Sequence, residues 1–182
     1  MSFIEHELVP FQAEILLGEK LLVLAPHPDD EVIGCGGLIA LHIQERREVR
    51  TVLITDGGAA NEPAGDAYLQ KRRKESVAGL AILGSQEPKF LGIPDRLIGS
   101  RAEVLQKEIR EQIIRYRPDL IVIPSPVEVH PDHLATARAL HDLIQRSPEI
   151  LGDLALCRLA FCEISQPFRP NVLVVITGVA EL

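Results

Sequence analysis

Cysteine is scarce in this 182-residue sequence, with only Cys35, Cys157 and Cys162, an odd count without CxxC spacing. That pattern argues against a disulfide scaffold and against a thiolate zinc knuckle, and it favours a reducing, cytoplasmic setting. Long apolar runs are missing as well, and none has the length needed to cross a bilayer. The opening stretch, MSFIEHELVPFQ, carries acidic residues where a signal peptide needs a basic start and an apolar core. Positive charge is thinly spread. Net charge is −7, and the densest basic patch, RRKE at 72–75, is too short for a nucleic-acid surface. DNA, RNA and anionic membrane are therefore not expected as partners. No internal repeat, low-complexity segment or domain boundary is evident.

What remains has the composition of one soluble domain with a sizeable core: 46% apolar and 25% charged residues. Leu21 to Ala25 form an apolar run with no polar face, as expected for a parallel strand covered on both sides. A helix follows through Leu38, Ile39, Leu41 and Ile43, then a strand at 49–55 that ends in Asp56, Gly57 and Gly58. Residues 67–83 and the stretch around Leu105, Ile109 and Ile113 have helical spacing, the latter stopped by Pro118. Further strands are predicted at 89–95, 120–123, 154–164 and 171–177, with a helix after residue 133. The alternation predicts a Rossmann-like three-layer α/β/α sandwich with a mostly parallel sheet and one antiparallel member. The last strand lacks a covering helix. Its apolar, β-branched sequence, NVLVVITGVAEL, raises the expectation of a homo-oligomer through an exposed edge.

Two strand ends discharge histidine and aspartate. After Leu21–Ala25 comes PHPDDE at 26–31, and after 119–124 comes HPDH at 130–133. Ligand sites in open α/β sheets gather beyond the carboxyl ends of strands, so the two clusters read as halves of one divalent-metal site. Imidazole and carboxylate are natural zinc ligands. His27 and Asp30, three residues apart at a helix entrance, can face one point. Asp29 must then point elsewhere, which suits a base acting on water. In the second cluster one of His130 and His133 can bind metal while the other meets substrate, and Asp132 can orient a ring through its second nitrogen. Glu31 is expected to support the loop or a histidine ring. His42 and His141 match no catalytic pattern and read as packing or surface residues.

APHPDDEVIGCGG, with TDGG at 55–58 and HPDH at 130–133, resembles the LmbE-like, or PIG-L, family of de-N-acetylases. RRKESVAGLAILG at 72–84, LGIPD at 91–95 and QPFRPNVLVVIT at 166–177 match family segments in order. The resemblance covers about residues 20–178. It implies a Rossmann-like fold and a zinc-dependent N-deacetylase, a hydrolase of linear amide C–N bonds that acts on an N-acetylated amino sugar such as an N-acetylglucosamine derivative. Zinc is the expected cofactor, with another divalent transition metal as the alternative. By position, the resemblance makes His27, Asp30 and His133 the metal ligands and Asp29 the general base. His130 stabilises the oxyanion or protonates the leaving amine. Arg72 aligns with a family arginine that contacts substrate, and Asp95 either lines the substrate pocket or caps a turn. Apart from the resemblance, the polar loop at 59–66, at the carboxyl end of the sheet, reads as a rim of the cleft. The resemblance also implies one domain over 1–182, shortened at its C-terminus relative to the family. Alternatives are an amidase for a non-sugar N-acyl compound and a non-catalytic metal- or nucleotide-binding protein of the same fold. The nucleotide reading would use Gly34–Gly37, against which the carboxylates beside the strand argue.

Overall fold

Successive side chains of a strand point to opposite faces, so an apolar run without a polar face must be covered twice. The computed structural model, which describes residues 12–14, 16–58, 65–147, 149–165, 167, 172–174 and 179, places this run at the centre of a sheet. The short strand β1 (Gln12–Glu14) precedes it. Strand β2 (Lys20–Ala25) lies between β3 (Glu48–Thr55) and β5 (Leu120–Pro124), with β4 (Lys89–Ile93) and β6 (Arg158–Cys162) at the edges. Leu22 and Leu24 join Val52, Ile54, Ile121 and Ile123 in one core cluster, which Leu105, Ile109 and Ile113 of α4 (Ala102–Tyr116) and Leu140 of α5 (Pro131–Arg146) cover. Leu21, Val23 and Ala25 face the other way with Leu53, Leu120 and Val122. There they meet Ile39 of α2 (Gly36–Gln44) and Leu80 of α3 (Asp66–Ile82).

All four pairings of the five-stranded sheet are parallel, in the order β4-β3-β2-β5-β6. The chain runs outward from β2 through β3 to β4, then returns to the other side of β2 with β5. Strand order reverses at β2/β5, and the crevice beyond their carboxyl ends is where both His/Asp motifs lie.

The expected antiparallel member is absent among the described residues. The final strand, β7 (Val172–Val174), pairs in parallel with β1 in a separate two-stranded sheet. The apolar stretch at 154–164 is also only partly a strand. A helical turn, α6 (Ile150–Asp153), and further turns precede β6, with the Leu154 N–H donating to Ile150 O at 2.9 Å and the Cys157 N–H to Leu154 O at 2.8 Å. A short apolar run does not distinguish a buried turn from a strand, and the fully buried Ile150 fixes the turn. The helix after β2 is split into α1 (Asp30–Ile33) and α2, with Gly34 between them; a Cβ there would meet Cys162 Sγ at 3.1 Å. The rim at 59–64, most of the strand expected at 171–177 and the edge on which a homo-oligomer was expected lie outside the described residues.

His42 is a packing residue. It is fully buried in α2, where its Nε2 accepts the Gly18 N–H at 3.1 Å and its Nδ1 lies 2.7 Å from Leu38 O. Both bonds are made only by the neutral ring with its proton on Nδ1. Burial, aided by the charge of Arg47, lowers its pKa from the ordinary 6.5, against the Leu38 hydrogen bond. A group whose pKa is depressed in the folded state stabilises the fold above its unfolded pKa and loses that contribution as pH falls. Urea midpoints should therefore fall below pH 6.5 more steeply in the wild type than in His42→Gln, which keeps a donor and an acceptor without titrating. Parallel curves would show that His42 does not carry acid sensitivity. His42→Leu, which strands the buried Gly18 N–H, should cost about 1–3 kcal/mol at neutral pH.

Candidate active site

Pro26 ends β2, and the next residues turn into α1. His27 Nδ1, Asp30 Oδ2 and His133 Nε2 converge there from the two motifs: 3.1 Å separates His27 from Asp30, 3.2 Å His27 from His133, and 3.2 Å Asp30 from His133. Zinc bound by nitrogen and oxygen at about 2.0–2.2 Å spaces tetrahedral ligands about 3.3–3.6 Å apart, so the triangle fits a small cation after slight opening. Each imidazole is held from behind. His27 Nε2 lies 3.3 Å from Asp132 Oδ2, and His133 Nδ1 lies 3.3 Å from Glu128 Oε2. Two wider groups, His27–His130–His133 and His27–Asp95–Asp132, have ligand atoms within 4.8 Å of one another. The tighter triangle is the better fit, because its three atoms lie within 3.2 Å of one another and the second nitrogen of each imidazole is held by a carboxylate, while Asp30 Oδ2 also accepts the His27 N–H at 2.9 Å.

Electrostatics agree with a site built for positive charge. Burial by itself lowers the pKa of His27, but hydrogen bonds to Asp132 and Asp30 outweigh it and raise the value to about 10. Burial opposes ionisation of Asp30, yet His133 and His27 hold its carboxyl well below the usual range. The Asp132 carboxylate lies against a ring, that of His27 in the other motif, at 3.3 Å. It is fixed there by accepting the N–H of Ile98 at 3.2 Å and that of Arg96.

Asp29 turns away from the triangle. Its backbone has φ 141° and ψ −29°, a region closed to ordinary L-residues, and its Oδ2 accepts from Arg72 Nη2 at 2.9 Å. Glu31 supports the loop and no ring: fully buried, it accepts the Asp29 N–H at 2.8 Å through Oε2. Gly57, with φ +70°, lies against this loop; a Cβ there would meet Pro28 Cδ at 2.8 Å. Arg72 also donates to Pro28 O, so it fastens the loop at two points. Asp95 Oδ1 lies 3.4 Å from His27 Nε2, and burial followed by the neighbouring Asp132 raises its pKa against the charge of His27.

His130 is the N-cap of α5, before Pro131 at the first helical position, where a missing N–H costs nothing. Its Nδ1 accepts the Asp132 N–H at 3.3 Å, which leaves Nε2 as the proton-bearing atom. Burial and the nearby charges of His27 and His133 lower its pKa, so the ring favours the neutral form.

These groups border a cavity of about 270 Å³ lined by His27, Asp29, Gly57, Tyr68, Arg72, Asp95 and His130. Tyr68 and Glu128 escaped sequence reading. Tyr68 stands four residues before Arg72 and so on the same helical face, a signal that was available. Glu128 is a lone carboxylate between two valines, with nothing local to mark it. Cys35 is buried, and its neighbour Cys162 together with burial pushes its thiol pKa well up.

The sequence profile of the family described as PIG-L, GlcNAc-PI de-N-acetylase, matches residues 22–144. Diacetylchitobiose deacetylase of Thermococcus kodakarensis is 34% identical over 121 residues, 63% of this chain and 45% of that protein. A probable N-acetyl-α-D-glucosaminyl L-malate deacetylase 2 of Bacillus subtilis is 31% identical over 131 residues, 67% of this chain and 59% of that protein. Among solved structures, the N,N′-diacetylchitobiose deacetylase of Pyrococcus horikoshii, complexed with an inhibitor, superposes with a TM-score of 0.72 at 28% identity. That match covers 90% of this chain and 66% of the other. The chain thus spans about half the length of the curated relatives it matches. With the profile spanning more than half of its residues, the chain belongs to the PIG-L family.

Proposed function

We propose that this chain is a metal-dependent hydrolase that removes the acetyl group from an N-acetylated amino sugar, an N-acetylglucosamine derivative. The observation that carries the substrate class is the cavity lining. Six of its seven residues have polar side chains, and they stand directly beside the His27–Asp30–His133 triangle. Such a wall suits sugar hydroxyls, whereas an acyl chain would call for an apolar trough. Family membership and the deacetylases named above support the same chemistry. In this reading His27, Asp30 and His133 hold the ion, and two imidazoles among three ligands favour zinc over magnesium. Three free thiols fit a reducing, cytoplasmic location.

A divalent ion bound there polarises an amide carbonyl and lowers the pKa of water. Asp29, on the cavity wall and outside the triangle, accepts the proton of the attacking water as general base. Arg72 holds that carboxylate in place from the cavity wall. His130, a neutral imidazole, donates a hydrogen bond from its Nε2–H to the oxyanion, placed where charge develops, and the proton that Asp29 took from water goes to the departing nitrogen as the C–N bond breaks. Tyr68 and Asp95 face the sugar ring. The products are acetate and a free amine.

Acetate release should be measured across N-acetylglucosamine glycosides, inositol conjugates, nucleotide sugars, chitin-derived oligomers and simple acetamides. At least one sugar should lose one acetyl group with its skeleton intact by mass spectrometry. Chelation should stop the reaction and zinc should restore it. Turnover of non-sugar amides alone would overturn the sugar assignment and leave the hydrolase standing. A fully metallated, folded protein inert across the panel would overturn both.

A further inference from the structure

Glu128 is 4% exposed and makes more hydrogen bonds than a surface carboxylate needs. The turn from Ser125 brings it inward: the Glu128 N–H donates to Ser125 O at 3.2 Å, and the Ser125 N–H donates to Cys162 O at 3.0 Å. Its Oε1 accepts the N–H groups of Ile164 at 2.8 Å and Ser165 at 3.2 Å. Its Oε2 accepts the Ser165 hydroxyl at 2.5 Å and the Ser165 N–H at 3.3 Å, and lies 3.3 Å from His133 Nδ1. The opposite nitrogen of the same ring, Nε2, points into the triangle.

A histidine that ligates through Nε2 must carry its proton on Nδ1, and the acceptor of that proton sets ring orientation and ligand basicity. Glu128 is the acceptor here. Its carboxylate is itself held by the turn that follows β6. We infer that Ser165 and Glu128 form a positioning relay for His133, in which Ser165 and the Ile164 and Ser165 N–H groups fix the carboxylate and the carboxylate fixes the ring. The inference rests on the metal reading given above. It assigns a task to residues 164–165, beyond the segment matched by the family profile, and treats both side chains as positioning residues that touch neither ion nor substrate.

Glu128→Gln keeps shape but leaves one acceptor oxygen. If that oxygen serves the turn N–H groups, the amide nitrogen meets His133 Nδ1–H, and donor faces donor. Zinc affinity by chelator competition and the visible spectrum of the cobalt-loaded protein should be measured on the full chain for wild type, His133→Ala, Glu128→Gln, Ser165→Ala and the Glu128→Gln/Ser165→Ala double variant. Glu128→Gln should bind zinc about 10–100-fold more weakly and alter the cobalt bands. Ser165→Ala should weaken binding by about 2–10-fold, the effect of one lost hydrogen bond. The double variant should be no worse than Glu128→Gln alone, because the two act in series.

Thermal unfolding of the metal-free proteins separates positioning from simple structural support. If both variants lower the melting temperature yet keep zinc affinity within about twofold of wild type and an unchanged cobalt spectrum, the relay is wrong. In that case the metal reading survives, provided His133→Ala abolishes binding. If the wild type binds no stoichiometric metal, the metal reading fails and the relay falls with it. Should Glu128→Gln not fold, Ser165→Ala decides alone, by the same affinity and spectrum.

Discussion

Asp29→Asn is expected to lower the turnover number by about 10²–10⁴-fold while zinc still binds stoichiometrically. The substitution is isosteric. Its amide oxygen can still accept from Arg72, as Asp29 Oδ2 does at 2.9 Å, so the loop keeps its fastening. What is lost is the capacity to take a proton, and the metal triangle does not use this side chain. Initial rates with the best substrate of the panel, together with elemental analysis of the purified variant, test both halves. A variant that turns over at the wild-type rate excludes Asp29 as the base. One that loses its metal moves Asp29 into the ligand set.

The same residue should show an inverted preference for glycine. At most positions glycine is less stable than alanine by about 0.5–1 kcal/mol, because it loses more backbone freedom on folding. Asp29 sits at φ 141°, ψ −29°, where a Cβ is unfavourable and such strain amounts to about 1–3 kcal/mol. Three contacts hold it there: its N–H donates to Glu31 at 2.8 Å, and its carbonyl accepts from the N–H groups of Val32 and Ile33, both at 2.9 Å. Urea unfolding of the metal-free protein should therefore find Asp29→Gly more stable than Asp29→Ala by about 1–3 kcal/mol, with both inactive. Alanine equal to or better than glycine would mean that the backbone is unstrained. The strained backbone lets the loop aim the Asp29 carboxylate at the cavity while that of its neighbour Asp30 joins the triangle with His27 and His133.

Much of this site is legible in the sequence because its parts are local. His27 and Asp30 meet across a single turn, and the all-apolar Leu21–Ala25 run fixes a central strand whose end must carry them. A mostly parallel sheet is readable because helix-spaced stretches separate most of the strands and call for crossovers, whereas the antiparallel member expected at the end is not found among the described residues. Where contacts are remote, reading stops. Asp132 neighbours His133 in sequence but serves His27, and Glu128 is recognisable only once β6 brings Ile164 and Ser165 beside it. The turn at Ile150–Asp153 was hidden because burial, with no periodicity to show it, sets the conformation of so short a piece.

The parallel pairing of β2 with β5 joins ring nitrogens 106 residues apart in sequence. A chain without that pairing has no triangle, and its scattered histidines and aspartates bind a cation only weakly. On the metal reading, the ion is then a ligand of the native state alone. By mass action it adds about 2.7 kcal/mol to folding at a hundred times its dissociation constant. How firmly this domain stays folded becomes a property of its surroundings as well as of its sequence, set by the free metal that the compartment maintains.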